Sequence, residues 1–176
     1  MYPWGNEPPS DTRLNYRGAF GDTQPVGAYP DGASWVGALD LAGNVWEWVQ
    51  DWYGPYPASA QTDPVGLSSG SYRVLRGGAW GNNDNDVRSA DRVNVTADYR
   101  HTDVGFRCVL AYAPASAPKP TPRPTSTVAV GSTMTRTSDG MMMVYVPGGT
   151  FKMGSEIGND DEKPVHAVTL DAFWID

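Results

Sequence analysis

The sequence predicts an α+β domain made mostly of short β-strands and irregular loops, with helices scarce. Three observations carry that prediction. The 176 residues include 20 glycines and 15 prolines, which punctuate the chain too often for long helices. Apolar runs are short and bounded by those turn residues. Six of the seven tryptophans fall within residues 1–80, where their large rings can supply a core. A chain rich in Gly and Pro tends to disorder when aromatics are few, and here they are not.

The elements follow in order along the chain. Residues 45–52 place Trp46, Trp48 and Trp52 on one parity and Val45 and Val49 on the other, as in a strand buried on both faces. Residues 72–75 and 104–110 read as further strands, with Gly77-Gly78 turning the chain between them. Residues 1–112 form the first globular segment. Residues 113–137 are rich in Pro, Thr, Ala and Ser, cannot bury enough apolar surface to offset their ordering entropy, and read as an extended, mobile linker. Residues 138–176 open a new globular pattern. Residues 141–147 and 151–153 are β-compatible about Gly148-Gly149, a charged loop follows at 159–163, and 165–176 reads as another strand region.

Composition excludes several function classes. Thirteen basic against 20 acidic residues give a net charge of −7, which argues against a nucleic-acid partner. The single Cys108 excludes an intrachain disulfide framework and a cysteine-rich zinc module. No apolar run approaches the ~18 residues of a bilayer span, so no membrane insertion is expected, and no signal peptide is readable after Met1.

The motifs are more specific than the composition. Tyr2-Pro3-Trp4-Gly5-Asn6, Gly43-Asn44-Val45-Trp46-Glu47-Trp48, Arg76-Gly77-Gly78-Ala79-Trp80 and Gly105-Phe106-Arg107 occur in that order. Together they resemble the formylglycine-generating enzyme (sulfatase-modifying factor) domain family. The resemblance implies a C-type-lectin-like fold with much irregular backbone, a small twisted antiparallel sheet and two helices. The tail resembles the opening strands of the same family, through Met143-Val144-Tyr145-Val146-Pro147-Gly148-Gly149, Pro164-Val165-His166 and Phe173-Trp174-Ile175-Asp176. The family's helices have no counterpart here, so the fold is expected to be incomplete. Residues 1–112 then correspond to the back of the domain and 138–176 to the front. Two arrangements fit that order. One is a stretch of a tandem array cut at both ends, with neighbouring domains as partners. The other is a rearranged unit in which 138–176 fold back on 1–112, across a 25-residue linker whose r.m.s. reach is roughly 25–30 Å. Either leaves apolar surface uncovered and marginal stability.

The resemblance also implies where oxidation chemistry would reside. Active members carry two cysteines that bind copper, four and nine positions beyond the second glycine of the pair. Those positions are Asn82 and Val87 here, and a serine common after the pair is Ala79. No copper centre is expected, and Cys108 reads as a small buried hydrophobe. His101 and His166 have no metal-ligand spacing, and there is no G-x-S-x-G motif or phosphate loop. Related sulfoxide synthases take histidine ligands from a separate helical bundle, and no such bundle is readable here. The expected function is a catalytically inactive ligand-binding or structural module. The alternative is a formylglycine-generating oxidase or related enzyme whose catalytic parts lie in other sequence.

Calcium takes six to eight hard oxygens about a tight turn. The resemblance maps one calcium site onto the side chains of Asp40 and Glu47 with the carbonyls of Gly43 and Val45. It maps a second onto Asn15 and Asp22 with the carbonyls of Tyr16 and Gln24, on a loop shorter than usual. The competing reading is that Asp40 and Glu47 cap turns or pair with arginines. The polar stretch 80–103 offers a ligand face for a protein or glycan, with Trp80, Asn82, Asn83, Asp84, Asp86, Asp91, Val93, Tyr99 and His101 as candidates. Its competing reading is a scaffold of Arg–carboxylate pairs and Asx turns. This stretch also resembles the variable region of retroelement-diversified proteins. Gly81, Asp86, Asp91, Val93, Val95, Thr96, Tyr99, His101, Thr102 and Asp103 can each arise from an asparagine codon by changes at adenine alone. The linker composition points to an exported or cell-surface setting.

Overall fold

The computed structural model describes residues 1–111 and 128–176; most of the expected linker, residues 113–127, lies outside the described residues. In the first segment six strands form: β1 (Trp46–Trp52), β2 (Gln61–Thr62), β3 (Arg73–Arg76), β4 (Val93–Val95), β5 (Val104–Gly105) and β6 (Val109–Ala111). The second segment adds β7 (Thr133–Thr135), β8 (Met142–Val146), β9 (Gly149–Met153), β10 (His166–Leu170) and β11 (Phe173–Ile175). Among the described residues the only helical turns are 3-10, at Pro30–Gly32 and Asp160–Glu162. Short strands and loops therefore dominate, as the sequence predicts.

Three small sheets result, with strand orders β4-β3-β1-β5, β2-β10-β9 and β6-β11-β8-β7. The last two each combine strands of both segments. Strand β10 pairs in parallel with β2, with Val168 opposite Gln61, and β11 pairs antiparallel with β6, with Trp174 opposite Leu110. Residues 128–176 thus pair with strands of 1–111 within one chain. Strand β7 lies within the stretch read as linker. Its Thr-Met-Thr sequence pairs antiparallel with β8, and that ladder satisfies backbone groups that the side chains could not order alone.

Two details differ from expectation. Strand β1 is not buried on both faces: Trp46 is buried, while the strand's other residues are half-buried or exposed. Its packed face meets Leu75 and Ala79, with Trp48, Val93, Val95 and Val104 around them. The tryptophans as a group are less internal than expected, since Trp35 lies exposed. The run 104–110 also divides. Strand β5 joins β1, then Phe106 faces solvent and Arg107 turns inward, and β6 enters a different sheet. The mostly buried Arg107 guanidinium finds its partners in Glu47, Asp40 and Asp176.

A second cluster of Leu14, Tyr16, Ala42 and Val87 sits beneath Tyr2 and Trp4. Val109, Leu110 and Met142 remain exposed on the β6-β11-β8-β7 sheet, in keeping with the uncovered apolar surface expected from the sequence.

Candidate functional site

The tightest polar knot is built around Gly43 and Asn44. Asp40, Gly43 and Asn44 all have positive φ (55°, 75° and 65°). A Cβ at Gly43 would stand 2.5 Å from the Asn15 carbonyl oxygen, so only glycine fits this crossing. Asn44 N–H donates to that same carbonyl (2.9 Å). Asn44 Oδ1 accepts from Gln24 N–H (2.8 Å) and from Asn15 Nδ2 (3.2 Å), while Asn44 Nδ2 donates to the Gln24 carbonyl (3.1 Å). Asn15 Nδ2 also donates to the Asp22 carbonyl (2.9 Å). These partners fix which way both amides face. Asn15 Oδ1 is then left buried with no hydrogen-bond partner among the described residues, in a residue only 1% exposed.

That orphaned oxygen is what a hard cation would satisfy. The residues assigned from sequence to the second calcium site, Asn15, Tyr16, Asp22 and Gln24, are drawn together by this knot. Within it the Asp22 carboxylate caps Thr23 N–H (2.7 Å), the Tyr16 carbonyl accepts from Ala19, and the Gln24 carbonyl accepts from Asn44. The donor set is oxygen only and fits calcium's preference. Among the described residues no group of three or more His, Cys, Asp or Glu side chains could hold a metal ion. A cation here would therefore rely on amide and backbone oxygens beside one carboxylate.

The other set is arranged differently. Both Glu47 carboxylate oxygens accept from Arg107, with Nε at 2.8 Å from Oε2 and Nη2 at 2.7 Å from Oε1. Arg107 further donates to the carbonyls of Asp40 (2.9 Å) and Asp176 (2.5 Å). Burial alone would lower the Arg107 pKa, but the Glu47 carboxylate more than offsets this and holds it above its ordinary value. Asp40 Oδ2 accepts from Gly27 N–H (2.6 Å), and Gly43 N–H donates to the Gly77 carbonyl. Glu47 is charge-balanced within the chain, as the arginine-pairing reading has it.

The expected ligand face divides into three places. Trp80, Asn82, Asn83, Asp84 and Asp86 form a loop after Gly77-Gly78. Asn82 Oδ1 accepts from Ala79 N–H (2.9 Å), its Nδ2 donates to Asp86 Oδ2 (3.1 Å), and Asp86 Oδ2 also takes Asn83 N–H. Arg17 pairs with Asp84 at 2.6 Å. Trp80 Nε1 is buried and has no hydrogen-bond partner among the described residues. Tyr99 and His101 stack at 6.2 Å beside a cleft of about 410 Å³ that Trp48, Asp98 and Arg100 also line, with His101 Nδ1 hydrogen-bonded to Asp103. Asp91 is buried and accepts from Asn159 Nδ2 (3.2 Å), while Val93 packs against the Trp46 cluster. These two face inward and are not part of an exposed surface.

Of the positions where the resemblance would put cysteines, Val87 is fully buried among Leu14, Tyr16 and Ala42, and Asn82 closes a turn. Sequence reasoning missed Asn44, Arg107 and Trp48 as site residues. Asn44 was visible inside the quoted Gly-Asn dipeptide, where asparagine tolerates positive φ. The partner of Arg107, 60 residues away, left no local signal.

Comparison with known proteins bears on this geometry. Residues 1–112 and 129–176 match the sulfatase-modifying factor enzyme 1-like domain. The chain is 46% identical over 83 residues to the hercynine oxygenase of Mycobacterium tuberculosis, covering 45% of this chain and 20% of that protein. It is 39% identical over 126 residues to the formylglycine-generating enzyme of Streptomyces coelicolor, covering 61% of this chain and 39% of that protein. The chain therefore spans from a fifth to about two fifths of the length of these relatives. Among solved structures, Treponema denticola variable protein 1 superposes with a TM-score of 0.50 at 35% identity, over 54% of this chain and 34% of that one.

Proposed function

Because the chain belongs to the sulfatase-modifying factor enzyme 1-like domain family, we propose that it is a calcium-stabilised ligand-binding or structural module without the family's thiol oxidation chemistry. One observation carries this reading. Val87, at one expected cysteine position, is sealed in an apolar cluster, and Asn82, at the other, is committed to holding a turn. A thiolate pair needs two sulfurs within reach of a common metal, and neither position supplies one. The rival reading is an oxidase whose catalytic parts lie in other sequence, which the hercynine oxygenase and formylglycine-generating enzyme relatives favour. Oxygen uptake by this chain with copper and a cysteine-containing sulfatase peptide separates the two. The expected rate equals that of the peptide and copper alone, and turnover by the chain would overturn the proposal.

Calcium would cross-link the loop between Asn15 and Gln24, and the buried Asn15 Oδ1, without a partner among the described residues, supports this. A ligand that binds only the native state raises the melting midpoint. Millimolar calcium is expected to raise it here, and chelator to reverse the shift. Asp22→Asn, at an exposed side chain, keeps the fold but loses most of the shift. An unchanged midpoint in the parent protein would remove calcium from the proposal.

The ligand face is assigned to the loop from Trp80 to Asp86 and to the cleft beside Tyr99 and His101, for a protein or glycan partner. The linker composition supports an exported or cell-surface setting. A second reading, retroelement-driven diversification of this face, is favoured by the likeness to variable protein 1 and by the exposure of Tyr99, His101 and Thr102. In sister genes it predicts substitutions concentrated at the adenine-derived positions; even drift across the domain would exclude it.

A further inference from the structure

A cavity of about 630 Å³ opens where the two segments meet, and no residue assigned above to calcium or to the ligand face lines it. Its volume lies within the range of small-molecule sites. Trp52, Pro55, Tyr56 and Val74 give it an apolar wall from the first segment, and Met153 from the second.

The polar groups are unevenly placed. Arg76 and Arg92 line the cavity, and their guanidiniums are held mainly by neutral acceptors. Arg76 Nη1 donates to the Asp91 carbonyl (3.1 Å) and Nη2 to the Tyr56 hydroxyl. Arg92 Nη2 donates to the carbonyls of Gly54 (2.8 Å) and Asp161 (2.6 Å). The Asp161 carboxylate is 3.9 Å from Arg92 Nε, and no ion pair to Arg76 occurs among the described residues. His166 also lines the cavity and is buried; its Nδ1 bonds the Pro164 carbonyl (3.1 Å), and no partner of Nε2 occurs among the described residues.

Two carboxylates line the cavity as well. Asp63 is exposed and already accepts from Asp171 N–H (2.7 Å), and Asp51 is half-buried beside Gly66. Arg92 is buried, so its charge acts through protein, whereas Asp63 acts through water and is screened. The lining therefore carries two guanidiniums and two carboxylates, of which buried Arg92 is the least screened and exposed Asp63 the most.

We infer that this cavity binds a small organic anion, a carboxylate on an aromatic or branched apolar body. The carboxylate would lie toward Arg76 and Arg92, and the body against Trp52, Tyr56 and Met153. Guanidiniums already tethered to carbonyls are pre-organised, so a carboxylate meets them at little ordering cost. Because both segments line the cavity, the bound anion would also hold them together.

The test uses the full chain labelled with 13C at the methionine methyls. It is titrated with phenylacetate and 1-naphthylacetate, with 2-phenylethanol and phenethylamine as neutral and cationic counterparts. At least one of the two anions is expected to shift the Met153 resonance saturably, about tenfold more tightly than the alcohol or amine. Met142, exposed on β8, should stay still. Val65, at the rim, is 89% exposed, so changing it leaves the melting midpoint unchanged. Val65→Asp should weaken anion binding and Val65→Lys strengthen it. The inference is overturned if neither anion shifts Met153 up to about 10 mM, where binding would be weaker than about 3 kcal/mol. It is also overturned if the alcohol or amine binds as tightly, if Met142 shifts in parallel, or if the two Val65 variants bind alike.

Discussion

At Asp91 a carboxyl group that is 3% exposed has mostly acidic company. Burial is the largest influence on it, followed by the nearby charges of Asp86 and Glu162, with Arg88 opposing and Asp161 adding, and together they push its pKa from 3.8 up to about 7. The native state thus favours the protonated form. Below pH 3.8 both states are protonated and Asp91 carries no penalty. Between pH 3.8 and about 7 the unfolded chain ionises first, so stability falls by up to about 1.4 kcal/mol per pH unit. Asp91→Asn keeps a hydrogen-bonding group for Asn159 and removes that slope. Its stability relative to the parent should rise by on the order of 3 kcal/mol between pH 4.5 and 7.5, read by denaturant melts. Parallel pH profiles for parent and variant would contradict the assignment.

The short turn Asp160–Glu162 carries side-chain contacts from the second segment to the first. Its capping box has Glu162 Oε1 accepting from Asn159 N–H (3.0 Å), and the same carboxylate takes Arg88 through Nη1 (3.0 Å) and Nη2 (2.6 Å). A Cβ at Gly158 would meet Glu162 Oε2 at 1.9 Å, so glycine there makes room for the carboxylate. Around it, Tyr53 donates to Asp161 (2.8 Å), Arg92 lies over the rings of Tyr53 and Tyr56, and Tyr56 packs on His166 at 4.9 Å. Burial would raise the Glu162 pKa, but Arg88 and the Asn159 N–H bring it below its usual 4.5. Its stabilisation is therefore present above pH 4.5 and lost as pH falls through the lower native value. Removing Arg88, which is itself mostly buried, strands the charge of the fully buried Glu162. Glu162→Ala should cost about 3–5 kcal/mol, and Arg88→Ala should cost much less in that background than in the parent. Additive losses would show that the pair is not coupled.

For the whole molecule, the prediction is that the two segments unfold together. The β2–β10 and β6–β11 ladders, the Arg88–Glu162 pair and the contact of Arg107 with Asp176 all cross between them. Cutting the chain at a protease site introduced between residues 112 and 127 should therefore leave both pieces together at micromolar concentration, eluting at the parent's position in size-exclusion chromatography. The midpoint should fall and become concentration-dependent, because the cut makes association bimolecular. Separation of the pieces on cutting would show that the ladders do not hold them.

The division between what was legible and what was not follows the range of the interactions. The turn residues, the strand-forming runs 72–75, 141–147 and 165–176, the family motifs and the substituted cysteine positions are local, and the sequence alone determined them. The four residues of the Asn15 loop, assigned by the family resemblance, lie within ten positions of one another. Tertiary structure decided the rest. Glu47 finds Arg107 60 residues away and Arg88 finds Glu162 74 residues away. With 13 cations and 20 carboxylates, nothing local says which will meet. The split of residues 104–110 between two sheets, the inward turn of Asp91 and the cavity between the segments depend on the same long-range docking. Strand propensity is carried by neighbours in sequence, whereas burial and charge pairing are settled by what the folded chain brings alongside.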